Sequence, residues 1–76
     1  MQVEILTPDT TLFSGEATLV TLPGTNGSFQ IMTNHAPIIA NLKAGKLEIK
    51  GKDSVETFDI NGGLVEVVSN KVIVLV

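Results

Sequence analysis

The sequence predicts an all-β protein, a small two-layer β-sandwich or flattened barrel of about eight to ten short strands. Apolar residues alternate with a period of two along almost the whole chain. Segments rich in Gly, Pro, Asn and Asp interrupt this alternation at intervals suited to short strands. No segment has the apolar spacing of an amphipathic helix of useful length.

The strands follow from the alternation, taken in chain order. In the first, QVEIL, the apolar Val3 and Ile5 alternate with polar residues, and TPDTT then predicts a turn held by an Asx or hydroxyl contact to the backbone. Further strands are predicted at ATLVTL, SFQIM, IIANL, KLEIK, VETFDI, LVEVV and KVIVLV, with turns at PGTNG, KAG, GKD, NGG and SN.

Two of these segments are more apolar than alternation requires. We expect VIVLV to be buried on both faces. For IIANL, burial within the chain and coverage of its second face by a partner protein are about equally compatible with the pattern.

Composition limits the class of protein. With 76 residues the chain forms one domain, and its net charge of -3 without a basic cluster argues against nucleic-acid binding. The absence of cysteine excludes disulfides and thiolate zinc sites. A core this small usually needs a further source of stability, and a partner protein can supply it.

The sequence also bears on location. The amino-terminal segment does not resemble a signal peptide, and no segment approaches the roughly 20 apolar residues of a membrane helix. These observations predict a soluble, cytoplasmic protein.

The residues do not form a recognisable catalytic set. His35 is the only imidazole, and the serines and aspartates lack a nucleophile-elbow sequence. The loop from Pro23 to Ser28 precedes a strand and lacks the Lys-Ser/Thr ending of a P-loop. We therefore expect no catalytic residue, no metal and no cofactor. The serines and aspartates in question are Ser14, Ser28, Ser54, Ser69, Asp9, Asp53 and Asp59.

Two other classes of function remain open. Lys43 and Lys46 flank a predicted turn, as in lipoyl or biotinyl carrier domains, but LKAGKL lacks their Asp-Lys-Ala or Met-Lys-Met motif, so solvated turn lysines are the better interpretation. A ligand-binding β-sandwich is the third possibility, and it lacks the aromatic platform that Trp or Tyr would supply.

Several segments together resemble the epsilon subunit of F-type ATP synthases, which is the delta subunit in mitochondria. VEILTPDTTLFSGEATLVTLPGTNGSF is similar to the opening of that family, and GSFQIMTNHAPIIANLKAGKLEI to its Gly-His-Ala-Pro-Leu-Leu hallmark. NGGLVEVVSNKVIVLV resembles its Gly-Gly-Phe-Leu-Glu-Val ending. The likeness spans nearly the whole chain in order, with departures in or beside turns at Gln30, Thr33-Asn34 and Lys43-Ala44-Gly45.

The resemblance implies a function. It implies a non-catalytic central-stalk rotor subunit that binds gamma, contacts the polar loops of the c-ring and couples proton translocation to ATP synthesis. It places the chain at the cytoplasmic face of the bacterial inner membrane, associated with the membrane only through Fo. Family members usually continue into an autoinhibitory helical hairpin, which in some binds ATP; here residues 1–76 are expected to be a single β-sandwich domain without that hairpin.

The resemblance also implies contact residues. The hairpin residues Thr25, Asn26, Gly27 and Ser28 match the loop that meets the c-ring. His35, Ile38, Ala40 and Leu42 match the strand that faces gamma. For Ile38 and Leu42 an ordinary core position remains an alternative, and His35 can also cap the turn before Pro37.

Overall fold

The computed structural model describes all 76 residues. It contains seven β-strands and no helix, so the predicted all-β class is confirmed. The chain accordingly contains no helix that is long and apolar enough to cross a membrane. The strands are β1 (Gln2–Leu6), β2 (Thr11–Glu16), β3 (Leu19–Gly24), β4 (Gly27–Met32), β5 (Ile38–Lys50), β6 (Val55–Val68) and β7 (Lys71–Leu75).

The strand count is lower than the predicted eight to ten because two predicted turns are absent. KAG lies inside β5, where Gly45 pairs with Ile60, and NGG lies inside β6. Gly62 and Gly63 have φ values of 133° and 151°, which glycine adopts readily, and the ladder to β5 continues through them. Glycine in these two segments therefore does not end the strands.

The structure contains one strand that the alternation did not predict. Thr11–Glu16 forms β2, which pairs antiparallel with β1. The turn before it is held by a hydroxyl, as predicted: Thr7 Oγ1 accepts hydrogen bonds from the amides of Asp9 and Thr10 at 3.2 and 3.0 Å.

The seven strands form one hydrogen-bonded sheet in the order β2-β1-β7-β6-β5-β3-β4, in which only β1 and β7 are parallel. The long β5 and β6 pair with each other along almost their whole length. Residues 64–68 of β6 and 38–42 of β5 continue into β7, β1 and β2, which we call layer A. Residues 55–60 and 45–50 of the same strands continue into β3 and β4, which we call layer B.

The core lies between the two layers and contains 15 buried residues. Alternate residues of each central strand supply it, as the period of two predicted. The expectation that VIVLV is buried on both faces is wrong: Val72 and Val74 are fully buried, whereas Leu75 is 48% exposed. The core residues are Met1, Val3, Ile5, Ala17, Val20, Leu22, Ile31, Leu42, Leu47, Ile49, Ile60, Val65, Val67, Val72 and Val74.

Candidate interaction surface

The tip of the β3–β4 hairpin is polar and uncharged. The two strands pair as far as Gly24 and Gly27, so Thr25 and Asn26 form the connection. All four residues from Thr25 to Ser28 are exposed. The amide of Thr25 donates a hydrogen bond to the carbonyl of Asn41 at 3.1 Å, which attaches the tip to β5.

His35 lies in the turn that precedes β5. Its side chain is exposed, and its Nδ1 lies 2.6 Å from the carbonyl oxygen of Ala36. The turn also contains Asn34, with a φ of 66°, whose amide donates to Asn70 Oδ1 at 2.8 Å. His35 thus has the position expected of a residue that organises the turn before Pro37, on the protein surface.

The structure brings no catalytic or metal-binding set together around His35. Its ring makes no hydrogen bond to a serine or an aspartate. No group of three or more His, Asp or Glu side chains is arranged to hold a metal ion.

Both lysines of the carrier alternative lie within β5, not in a turn. Lys46 Nζ is 3.1 Å from Asp59 Oδ1 on the neighbouring strand. A carrier lysine needs a protruding hairpin turn, so this location removes the structural reason for the carrier alternative.

Three of the residues matched to the gamma-facing strand point towards the core. Leu42 is only 5% exposed, so it is an ordinary core residue, the alternative that the sequence left open. Ile38 and Ala40 are partly buried and pack against the same core. The residue between them, Ile39, faces outward and is 69% exposed.

Ile39 belongs to an apolar surface on the outside of layer A. In the first row across the strands, Ile39 of β5 pairs with Glu66 of β6, and Glu66 pairs with Ile73 of β7. The neighbouring row runs from Leu64 through Leu75 to Leu6. We call this surface the outer face; its apolar residues are Leu6, Ile39, Leu64, Val68, Ile73 and Leu75.

The outer face was not predicted, because the positions matched along IIANL (Ile38, Ala40 and Leu42) are those whose side chains point towards the core. Successive side chains of a strand point to opposite sides, so a shift of one position exchanges core and surface. The available signal was Val65 and Val67 in LVEVV: a strand with these residues inside must present Leu64, Glu66 and Val68 outside.

A groove separates the hairpin tip from the start of β5. Its volume is about 550 Å³, and no charged residue lines it. Phe29, Ile38 and Leu64 contribute apolar surface, and Asn26 and Asn41 contribute polar groups. The hairpin tip and the outer face therefore adjoin each other along this groove.

The fold is similar to that of chains in two solved ATP synthase structures. A chain in the Tetrahymena thermophila mitochondrial ATP synthase central stalk/c-ring structure superposes with a TM-score of 0.83 at 21% identity, covering 97% of this chain and 60% of that one. A chain in the Euglena gracilis mitochondrial ATP synthase OSCP/F1/c-ring structure gives 0.89 at 18% identity, covering 96% and 48%. At these identities the likeness shows the fold alone.

Sequence similarity identifies the family. The ATP synthase epsilon chain of Chlorobium limicola is 48% identical over 75 residues, which cover 97% of this chain and 85% of that protein. The epsilon chain of Sulfurimonas denitrificans is also 48% identical, over 77 residues that cover 59% of its length. The family model "ATP synthase, Delta/Epsilon chain, beta-sandwich domain" matches residues 1–76. The chain therefore belongs to the ATP synthase delta/epsilon family, whose members are accessory subunits of that enzyme.

Proposed function

We propose that this chain is a non-catalytic rotor component of the central stalk of a bacterial F1Fo ATP synthase. In this role it binds the gamma subunit through its outer face and the polar loops of the c-ring through its hairpin tip. It turns with both, and so couples proton translocation to ATP synthesis. Its association with the membrane, at the cytoplasmic face, is through Fo only, and residues 1–76 act as one domain.

The observation that carries the proposal is the exposed apolar surface of layer A. Ile39, Val68 and Leu75 are 69%, 44% and 48% exposed on one side of the sheet. Contiguous exposed apolar surface of this kind commonly marks a protein interface. The chain belongs to the delta/epsilon family, and its resemblance to the epsilon subunit implies gamma as the partner that covers this surface.

The structure changes which residues are proposed to contact gamma. Ile39 replaces Leu42, which supports the strand from within the core. Ile38 and Ala40 are retained as partly buried neighbours, and His35 lies at the start of the same strand. The contact then combines the apolar side chains of the outer face with the exposed polar residue His35 beside them.

The hairpin tip suits a contact with polar loops. Thr25, Asn26, Gly27 and Ser28 offer hydroxyl, amide and backbone groups without charge, and all are exposed. Because Thr25 is hydrogen-bonded to Asn41 of β5, the tip and the outer face belong to one connected unit. A load applied at the tip is thereby passed to the strand beside the outer face.

Binding to gamma is tested by calorimetry with the purified subunit. We expect Ile39→Asp to abolish detectable binding, because it removes the most exposed apolar side chain of the outer face and adds a second carboxylate beside Glu66. Thr57→Asp is the matched control, since Thr57 is exposed on the outside of layer B opposite Glu48. Equal binding by the two variants would contradict the proposed surface.

Contact with the c-ring is tested by cross-linking. The chain has no cysteine, so a single introduced thiol is unique. In the assembled enzyme we expect Asn26→Cys to cross-link to cysteines placed in the ring loops. Ser54→Cys, in the exposed β5–β6 connection, is the control and is expected to remain unlinked. The reverse pattern would exclude the hairpin tip as the ring contact.

A further inference from the structure

Glu66 lies at the centre of the outer face and is surrounded by apolar side chains. Ile39 and Ile73 are its partners on the two neighbouring strands. Leu64 and Val68, two positions away along β6, point to the same side of the sheet. The side chain of Glu66 is itself exposed, so water solvates its carboxylate in the isolated chain.

No cation of this chain pairs with Glu66. The ion pairs within 4.0 Å are those of Met1 with Glu16, Lys46 with Asp59 and Lys71 with Glu4. Glu4 is the informative comparison, because it lies in the same row of the outer face, on the far side of Ile73. Its carboxylate has Lys71 Nζ at 3.8 Å, whereas Glu66 has no such neighbour.

A partner that covers the outer face would remove water from Glu66. Burying an ionised carboxylate without a compensating group is strongly unfavourable. The cost disappears only if the partner supplies a cation or several hydrogen-bond donors. A guanidinium meets both needs, since it can donate two parallel hydrogen bonds to one carboxylate.

We propose that Glu66 is the specificity-determining residue of the outer face and that it pairs with a basic side chain, preferably arginine, on the subunit that covers this face. This inference rests on the proposed function, in which gamma is the subunit that covers the outer face. It adds the ion pair by which that partner is selected. The apolar side chains around Glu66 supply the buried area, and the single charge of Glu66 fixes the orientation of the partner.

A second copy of this chain fits the outer face less well. The only cation near the row is Lys71, which is already paired with Glu4. Two copies joined through this surface would therefore bury Glu66 of each without a free cation. A charge in the middle of an apolar surface thus disfavours self-association while it selects a basic partner.

The test compares charge variants of Glu66 with matched variants of Glu48. Glu48 is also exposed in mid-strand, but its cross-strand neighbours are Thr21 and Thr57 on the outside of layer B. Affinity for purified gamma is measured by calorimetry at low and moderate salt. We expect Glu66→Gln to bind on the order of a hundredfold more weakly, because it leaves the partner's cation unpaired.

Glu66→Lys is expected to bind more weakly still, because like charges then face each other. Glu48→Gln and Glu48→Lys should bind as the wild type does. A gamma variant in which the facing basic residue is replaced by glutamate should restore binding to Glu66→Lys and lose binding to the wild type. Thermal unfolding of each variant separates a binding defect from a folding defect.

The outcomes also separate this inference from the proposed function. Wild-type binding together with undiminished binding of Glu66→Gln would overturn the inference and leave the proposed function standing. Failure of the wild-type chain to bind gamma would overturn both. Concentration-dependent dimers of the wild-type chain that require Ile39 would overturn the choice of a basic partner.

Discussion

Ile39 and Leu42 lie three positions apart on β5 and face opposite sides of the sheet, with 69% and 5% of their surfaces exposed. The strand therefore has a core side, through Ile38, Ala40 and Leu42, and an outer side centred on Ile39. Substitutions on the core side of β5 should therefore reduce the stability of the fold, whereas substitutions on its outer side should reduce partner binding.

We expect Leu42→Ala to destabilise the isolated chain by roughly 2–5 kcal/mol, because it removes a buried side chain and leaves a cavity. Ile39→Ala should change the free energy of unfolding by less than about 1 kcal/mol, because its side chain remains in water. Urea unfolding followed by circular dichroism measures both. A larger loss of unfolding free energy from Ile39→Ala than from Leu42→Ala would mean that Ile39, and not Leu42, faces the core.

Gly63 should tolerate no side chain. Its φ is 151°, and a Cβ there would overlap the carbonyl oxygen of Leu75. Gly63→Ala is expected to cost about 2–4 kcal/mol through backbone strain and displacement of β7. The measurement is again denaturant unfolding.

Gly27→Ala is the control for this prediction. Gly27 also has a positive φ, of 129°, but no atom lies within 4 Å of the position of an added Cβ. Its cost should be limited to backbone strain, about 1 kcal/mol. Equal costs at the two positions would show that the contact with Leu75 is unimportant.

The side chain of Asn70 connects two turns. Its Oδ1 accepts a hydrogen bond from the amide of Asn34, next to His35, at 2.8 Å. Asn70→Ala should accelerate hydrogen exchange of the Asn34 amide, since the acceptor is lost. It should destabilise the chain by about 1–2 kcal/mol, because the hydrogen bond is lost and because Asn70 has a φ of 61°, which asparagine tolerates better than alanine.

Asn70→Asp keeps the acceptor oxygen and should preserve the protection of the Asn34 amide. Amide exchange measured by NMR distinguishes the two variants. Unchanged exchange in Asn70→Ala would mean that this hydrogen bond does not hold the turn in solution.

The Lys46–Asp59 pair should contribute little. Its side chains are 72% and 82% exposed although the ion pair is 3.1 Å long. Exposed pairs generally contribute about 0–1 kcal/mol, and salt screens them. A double-mutant cycle with Lys46→Ala and Asp59→Ala should give a coupling energy below about 0.5 kcal/mol. A coupling well above that, persisting at high salt, would contradict this expectation.

The alternation of apolar residues determined much of this protein in advance. Val3 and Ile5 in QVEIL alternate with polar neighbours, and both are fully buried. This pattern is local, because successive side chains of a strand point to opposite sides wherever the strand lies. The all-β class, the hairpin at Thr25-Asn26 and the family resemblance could all be read in this way, from neighbouring residues.

Only the tertiary structure decided how far strands continue and which side of them is covered. Gly62 and Gly63 look like a turn in sequence, yet pairing with Leu42 and Lys43 carries β6 through them. A strand with apolar residues on both sides, such as IIANL, does not by itself reveal which side faces the core. The side that faces the core follows from the register of β5 with β6 and of β6 with β7. In this register Leu42 is buried, and Ile39 lies beside Glu66 on the surface.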